Sequence, residues 1–288
     1  MNFLQIAVLH WYAANLTTQI AVGQSPNDVA FDGAHIWVAN NQSNNVTKVR
    51  ASDCAILGTF AVGNGPLALA FDGANLWVAN HNDNNVTKLR ASDGTTLGNF
   101  AVGADPAGVA FDGVNVWVVN HLSNNVTKLR ASDGKVLGTF PVGGEPEGIA
   151  FDGSDIWVAN NATNNVTKLR ASDGVTLGTF AVGKFPCAVV FDGSSIWVAN
   201  ASDNTVSKLK RDGTILGTFP VGGEPFGLGF DGTHIWVANS TTSNVTELRA
   251  SDGAQLGVFP TGSFPTAVAF DGINIWVAND TSNTISKL

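Results

Sequence analysis

The chain has 288 residues and a formal net charge of −8, with 15 Lys and Arg against 23 Asp and Glu. That balance excludes the basic surface by which proteins hold nucleic acid or an anionic membrane. No apolar run reaches the roughly 18 residues of a membrane-spanning helix, whereas 17 Phe and 8 Trp supply material for a large core.

Residues 1–14 (MNFLQIAVLHWYAA) open with a short apolar run, Phe3 to Leu9. A secretory leader places Lys or Arg ahead of such a run, and none is present. The segment reads as an N-terminal extension to a soluble chain whose compartment is not assigned. Thr17 to Gly23 then reads as a β-strand.

From Phe31 onward the chain repeats itself. FDG-x-x-[I/L/V]-W-V-[A/V]-N begins at Phe31, Phe71, Phe111, Phe151, Phe191, Phe230 and Phe270, at spacings of 40, 40, 40, 40, 39 and 40 residues. A fixed period of this length marks a repeat architecture. Within Ala104–Gly143, four β-rich runs follow one another: strand A (Gly108–Phe111), B (Asn115–Val119), C (Val126–Arg130) and D (Val136–Val142). Asp-Gly turns join A to B and C to D, so the strands pair as an antiparallel meander. Trp117 and Val119 point to one face of strand B, Val116 and Val118 to the other. Both faces are apolar, so each sheet needs a neighbour on both sides.

Residues 15–288 therefore read as one all-β domain, a seven-bladed β-propeller of four-stranded antiparallel blades. The seven repeat tryptophans belong between sheets rather than in a ring around a ligand. Burying each contributes about 4–6 kcal/mol as an upper bound. The seventh repeat ends at strand C, Thr284 to Leu288, and Thr17 to Gly23 matches the missing strand D. The N-terminal strand should close the ring as the outer strand of the last blade. Ile6 to Leu9 could compete with Ile285 to Leu288 for the next place inward, and the C-terminal segment keeps the repeat pattern. Cys54 and Cys187 fall at opposite ends of the strands, too far apart for a disulfide.

The pattern W-V-A-N, N-N-V-T-K-L, D-G-x-x-L-G-x-F-x-V-G-x-x-P resembles YVTN-type seven-bladed propellers, with Trp-Val-Ala-Asn where that family has Tyr-Val-Thr-Asn. More distantly it is similar to NHL-repeat and virginiamycin B (streptogramin) lyase propellers. The resemblance covers residues 17–288 and implies the fold. It implies little about activity, because those propellers include lyases, lactonases and binding modules. A streptogramin lyase-like activity would imply a Mg²⁺-assisted His base, but no residue here matches that family's catalytic motif position by position.

The A–B and C–D turns lie at one end of each blade, and the D–A and B–C loops at the other. Asp-Gly recurs at the first end, with Cys54 replacing one glycine. The second end varies from repeat to repeat: around the loop prolines stand Ser25/Asn27, Gly65/Leu67, Asp105/Ala107, Glu145/Glu147, Phe185/Cys187, Glu224/Phe226 and Phe264/Thr266, and after W-V-A-N stand Asn41, His81, His121, Asn161, Ala201, Ser240 and Asp280. A ligand site belongs there, around the axis.

Candidate ligand-binding residues are His81, His121, Asp105, Glu145, Glu147, Glu224, Phe185, Phe226 and Phe264. His81, His121 and Glu145 are candidates for a divalent metal or for acid–base work; the bland alternative is two surface histidines. The three Phe form either a binding patch or loop packing. The Asn closing W-V-A-N is either a polar rim or a side chain that fixes the strand B exit through nearby backbone. Asp32-type turn aspartates and Arg50, Arg90, Arg130, Arg170 and Arg249 read as an exposed charge pattern at the opposite end; one carboxylate per turn is too few for Ca²⁺.

No complete catalytic constellation is present. The reading is a monomeric, non-enzymatic scaffold without a required cofactor, binding a protein, glycan or small molecule. The alternative is a metal-assisted lyase or hydrolase using the same face.

Overall fold

The structure is a computed structural model and describes residues 18–288. The extension 1–14, Ile6 to Leu9 included, lies outside the described residues. Seven four-stranded antiparallel sheets follow one another around an axis. Blade 1 runs A (Pro26–Phe31), B (His35–Asn40), C (Asn45–Arg50) and D (Ile56–Ala61). Blades 2 to 6 repeat this order. Blade 7 takes A (Pro265–Phe270), B (Ile275–Asn279) and C (Thr284–Lys287) from the C-terminal repeat, and D (Thr18–Ala21) from the N-terminal strand. Thr18 pairs with Lys287 and Ala21 with Thr284, so the ring closes as the sequence implied. No described helix is long and apolar enough to cross a membrane.

The blades adhere through their aromatics. Trp37 packs with Leu69, Leu76, Val78 and Leu89 of blade 2, while Ile36, Val38 and Val49 pack against Trp276 and Ile285 of blade 7. Trp37, Trp77, Trp117, Trp157, Trp197 and Trp276 are fully buried; Trp236 is only partly so. Each ring also meets the strand D phenylalanine of its own blade where one is present, as Trp117 meets Phe140 at 5.5 Å. Both cysteines are free thiols.

One feature of the charge pattern differs from the sequence reading. The FDG aspartates are not exposed: Asp32 accepts the Trp37 indole N–H at 2.8 Å and the backbone N–H groups of Ala34 and His35. Burial opposes ionisation there, but these hydrogen bonds outweigh it and hold Asp32 below the usual carboxylate range. The exposed pairs are instead Arg50–Asp53, Arg90–Asp93 and their equivalents in the C–D turns. The lysines of N-V-T-K-L are also interior. Lys48 Nζ sits 4.9 Å above the Trp37 ring and donates to Ala91 O of blade 2 at 2.6 Å. A lysine thus joins two blades.

The W-V-A-N asparagines are fully buried and form no rim. Asn120 Nδ2 donates to Asn125 Oδ1 and Thr127 Oγ1 on strand C, and its Oδ1 accepts Gly103 N. The anchoring partners are therefore mainly strand C side chains rather than nearby backbone.

Candidate functional site

Strand A begins at the loop proline, two residues before the apolar run. In every blade its pairing with strand B shifts just after that proline, for instance between Pro26 and Asp28. The same irregularity falls between Pro186 and Ala188 and between Pro225 and Gly227. A bulge of this kind frees a residue from the ladder and re-aims it. Strand A is the innermost strand of each blade, touching strand A of the next. The bulge residues therefore face the axis: Asn27, Leu67, Ala107, Glu147, Cys187, Phe226 and Thr266 all line one axial cavity of about 170 Å³. Seven structurally equivalent positions carry seven different side chains.

The residue before each proline is held in the left-handed region, with φ of 53° at Ser25, 57° at Asp105, 51° at Glu145, 57° at Phe185, 54° at Glu224 and 56° at Phe264. Two hydrogen bonds lock it. Glu145 N donates to Asn124 Oδ1 of the previous blade, and Glu145 O accepts Asn161 N of its own blade. Only blade 2 has glycine here. A Cβ on Gly65 would overlap the His81 ring, which explains that choice. Elsewhere the chain accepts strain of about 1–2 kcal/mol per residue to carry a side chain at this loop position.

Of the acidic candidates, Asp105 lies on blade 3, Glu145 and Glu147 on blade 4, and Glu224 on blade 6, while His81 and His121 lie on blades 2 and 3. His81 Nδ1 donates to Asp105 Oδ1 at 3.1 Å. His121 Nδ1 donates to Pro146 O at 3.2 Å. Glu147 Oε2 accepts Asn161 Nδ2 at 2.7 Å. Burial raises the Glu147 pKa; Asn161 and the His121 charge oppose this, while Asp105 and Glu145 add to it. Glu145 itself is exposed. On blade 6, Ser240 Oγ donates to the backbone O of Glu224. Among the described residues, no group of three or more His, Cys, Asp or Glu side chains comes together to hold a metal ion.

The aromatic side chains divide. Phe185 and Phe264 are 41% and 36% exposed. Phe226 instead packs beside Cys187, Ala199 and Ala201, forming floor rather than patch. The Cys187 thiol donates to Pro225 O at 3.2 Å. Burial, with Glu147 nearby, pushes its pKa well above the normal thiol value, so it is no nucleophile at neutral pH.

The sequence reading overlooked Asp28. It lines the same cavity from blade 1. Its Oδ1 accepts Val29 N at 2.8 Å and its Oδ2 accepts Leu69 N of blade 2 at 2.7 Å. Burial outweighs both bonds and raises its pKa to about 6. A signal was available: the equivalent positions hold only Ala68, Gly108, Gly148, Ala188, Gly227 and Ala267.

The fold is shared with solved structures. Hydrazine synthase of Kuenenia stuttgartiensis matches at TM-score 0.81 and 19% identity, over 92% of this chain and 95% of that one. A streptogramin B lyase matches at TM-score 0.81 and 16% identity, over 94% and 96%. A catalytically inactive virginiamycin B lyase from Staphylococcus aureus, solved with quinupristin, matches at TM-score 0.82 and 16% identity, over 94% and 98%. No family model matches the chain, and neither does any curated protein. At such identities the likeness shows the seven-bladed propeller fold.

Proposed function

We propose that the chain is a binding module that captures an amphipathic small molecule or peptide at the D–A and B–C loop face, around the mouth of the axial channel. One observation carries this reading: Phe185 and Phe264, each just before the proline that opens strand A, hold an exposed aromatic ring on left-handed backbone. Both features cost stability, and the blade needs neither, since Gly65 fills the same position in blade 2. Acidic side chains at the matching positions of blades 3, 4 and 6, Asp105, Glu145 and Glu224, give the ligand's polar part a negative surround. The rings take its apolar part.

The test is a thermal-shift and calorimetric screen of phenethylamine and of Phe-Lys and Phe-Arg dipeptides, on the wild type and on F185A/F264A. Both rings are exposed, so the double variant should fold. Stabilisation of the wild type that the variant loses supports the reading. Equal stabilisation of both proteins refutes it.

A second reading, a lyase or hydrolase at the same face, draws on the His81–Asp105 pair. With Nδ1 donating to the carboxylate, Nε2 is left as the proton acceptor, the arrangement of an oriented general base. Turnover of a lactone or cyclic depsipeptide that disappears in H81A or H121A would replace the binding reading with this one.

A further inference from the structure

Six blades share one arrangement. Lys48, Lys88, Lys128, Lys168, Lys208 and Lys287 each place Nζ 4.9–5.1 Å above the ring of Trp37, Trp77, Trp117, Trp157, Trp197 and Trp276. Those six indoles are fully buried. Blade 6 keeps the indole, Trp236, with its N–H donated to Asp231 Oδ2 at 2.8 Å. It lacks the lysine: Glu247 stands opposite Trp236, where Lys128 stands opposite Trp117. Trp236 is also the one repeat tryptophan left partly exposed.

We infer that blade 6 carries a binding site for an alkylammonium group, which lies on the Trp236 face where the other blades hold their own lysine. The chemistry is complementary. A cation over an indole is attracted by the ring's negative face. Glu247 adds a carboxylate whose side chain is 16% exposed. Burial raises its pKa, opposed by His234 and supported by Asp231, so an incoming cation relieves a charge held partly out of water.

His234 does not fill this place. Its Nδ1 donates to Asp231 Oδ2 at 3.0 Å, with Glu247 Oε1 at 3.4 Å. Blade 1 provides the control: His35 Nδ1 makes the same 3.0 Å contact with Asp32 while Lys48 still covers Trp37. A histidine at this position and an ammonium over the ring therefore coexist. The site lies at the A–B turn end, away from the loop face, and stands independently of the function proposed there.

The test titrates the full chain with n-butylammonium chloride and with the peptide Ac-Gly-Lys-Gly-NH₂, read by tryptophan fluorescence and by NMR of the indole N–H resonances. n-Butanol and sodium chloride serve as controls. The wild type should show saturable binding confined to one of the indole resonances. E247K, which puts an ammonium of the chain's own opposite Trp236, should abolish it. E247Q should weaken it while leaving the ring in place, and W236F should weaken it about threefold, as expected for replacing the stronger π face. Tighter binding of the peptide than of butylammonium would identify a partner's lysine as the natural occupant; equal binding would identify a free alkylamine. No saturable binding to the wild type, equal binding to E247K, or equal binding of n-butanol would overturn the assignment.

Discussion

Replacing Asp28 by asparagine tests the electrostatics of the axial cavity directly. In the folded protein its carboxyl binds a proton more tightly than in the unfolded chain, with a pKa near 6 against the ordinary 3.8. The folded state therefore holds an extra proton between about pH 4 and 6, and stability contributed by this group falls as pH rises through that window. At about 1.4 kcal/mol per tenfold change in proton affinity, the full swing is about 3 kcal/mol. Water reaches the channel side of Asp28, so about 1–3 kcal/mol is the working range. The amide introduced by D28N cannot ionise and resembles the protonated acid. Thermal unfolding of wild type and D28N should therefore be compared at pH 4.0 and 7.5. The difference in Tm, D28N minus wild type, should rise with pH by at least about 2 °C, given roughly 2 °C or more per kcal/mol in chains of this size. Other carboxyl groups cancel in that difference. Parallel Tm–pH curves would show that Asp28 is hydrated as an ordinary surface acid and would refute the reasoning.

Two further outcomes follow from particular contacts. Arg211 binds the fully buried Asp152 through Nε and Nη2 at 3.1 and 3.0 Å, and Asp152 is lowered to about 2. The Arg side chain is 45% exposed, so R211A should cost only about 1 kcal/mol at pH 7. That cost should shrink as pH falls through about 2, because the wild type then protonates Asp152 and loses the same interaction; urea unfolding at pH 7 and pH 1.5 measures it. F185G should raise stability by about 1 kcal/mol, since glycine removes the left-handed penalty at φ 57° at a smaller entropic cost in the unfolded chain. The same change should weaken ligand capture at the mouth, and a gain in both stability and affinity would contradict the role given to Phe185.

The architecture was legible because it is written in period and alternation. FDG spacing gave the blade count, and Val116 to Val119 showed two apolar faces. The displayed positions were legible as the columns that vary inside a repeated text. What stayed hidden depends on partners one blade away. Nothing within N-V-T-K-L announces that the acceptor of Lys128 is Ala171 O, 43 residues on. The FDG aspartate reads as a plain turn residue, because nothing in a turn signature announces an indole N–H five residues later. Asp28 was hidden for a different reason: its neighbours drew attention to the residues flanking the proline, and a carboxylate in a Gly/Ala column is visible only when the column beside them is read too.

The ring's seam shows the same dependence read in reverse. At five blade junctions a strand D phenylalanine lies against a C–D turn glycine of the next blade, and a Cβ on Gly94, Gly134, Gly174, Gly213 or Gly253 would overlap Phe60, Phe100, Phe140, Phe180 or Phe219. Where blade 7 meets blade 1, the strand D residue is Ile20, and Cys54 stands in the glycine's place, packed in the same cluster. Cys54 keeps the left-handed backbone, at φ 65°, so the glycine's conformational role persists while its steric role has lapsed. A smaller residue on one blade is matched by a larger one on the next. The exception at Cys54, which looks like drift in the repeat, is the sequence's own mark that the strand from Thr18 to Ala21 completes the last blade.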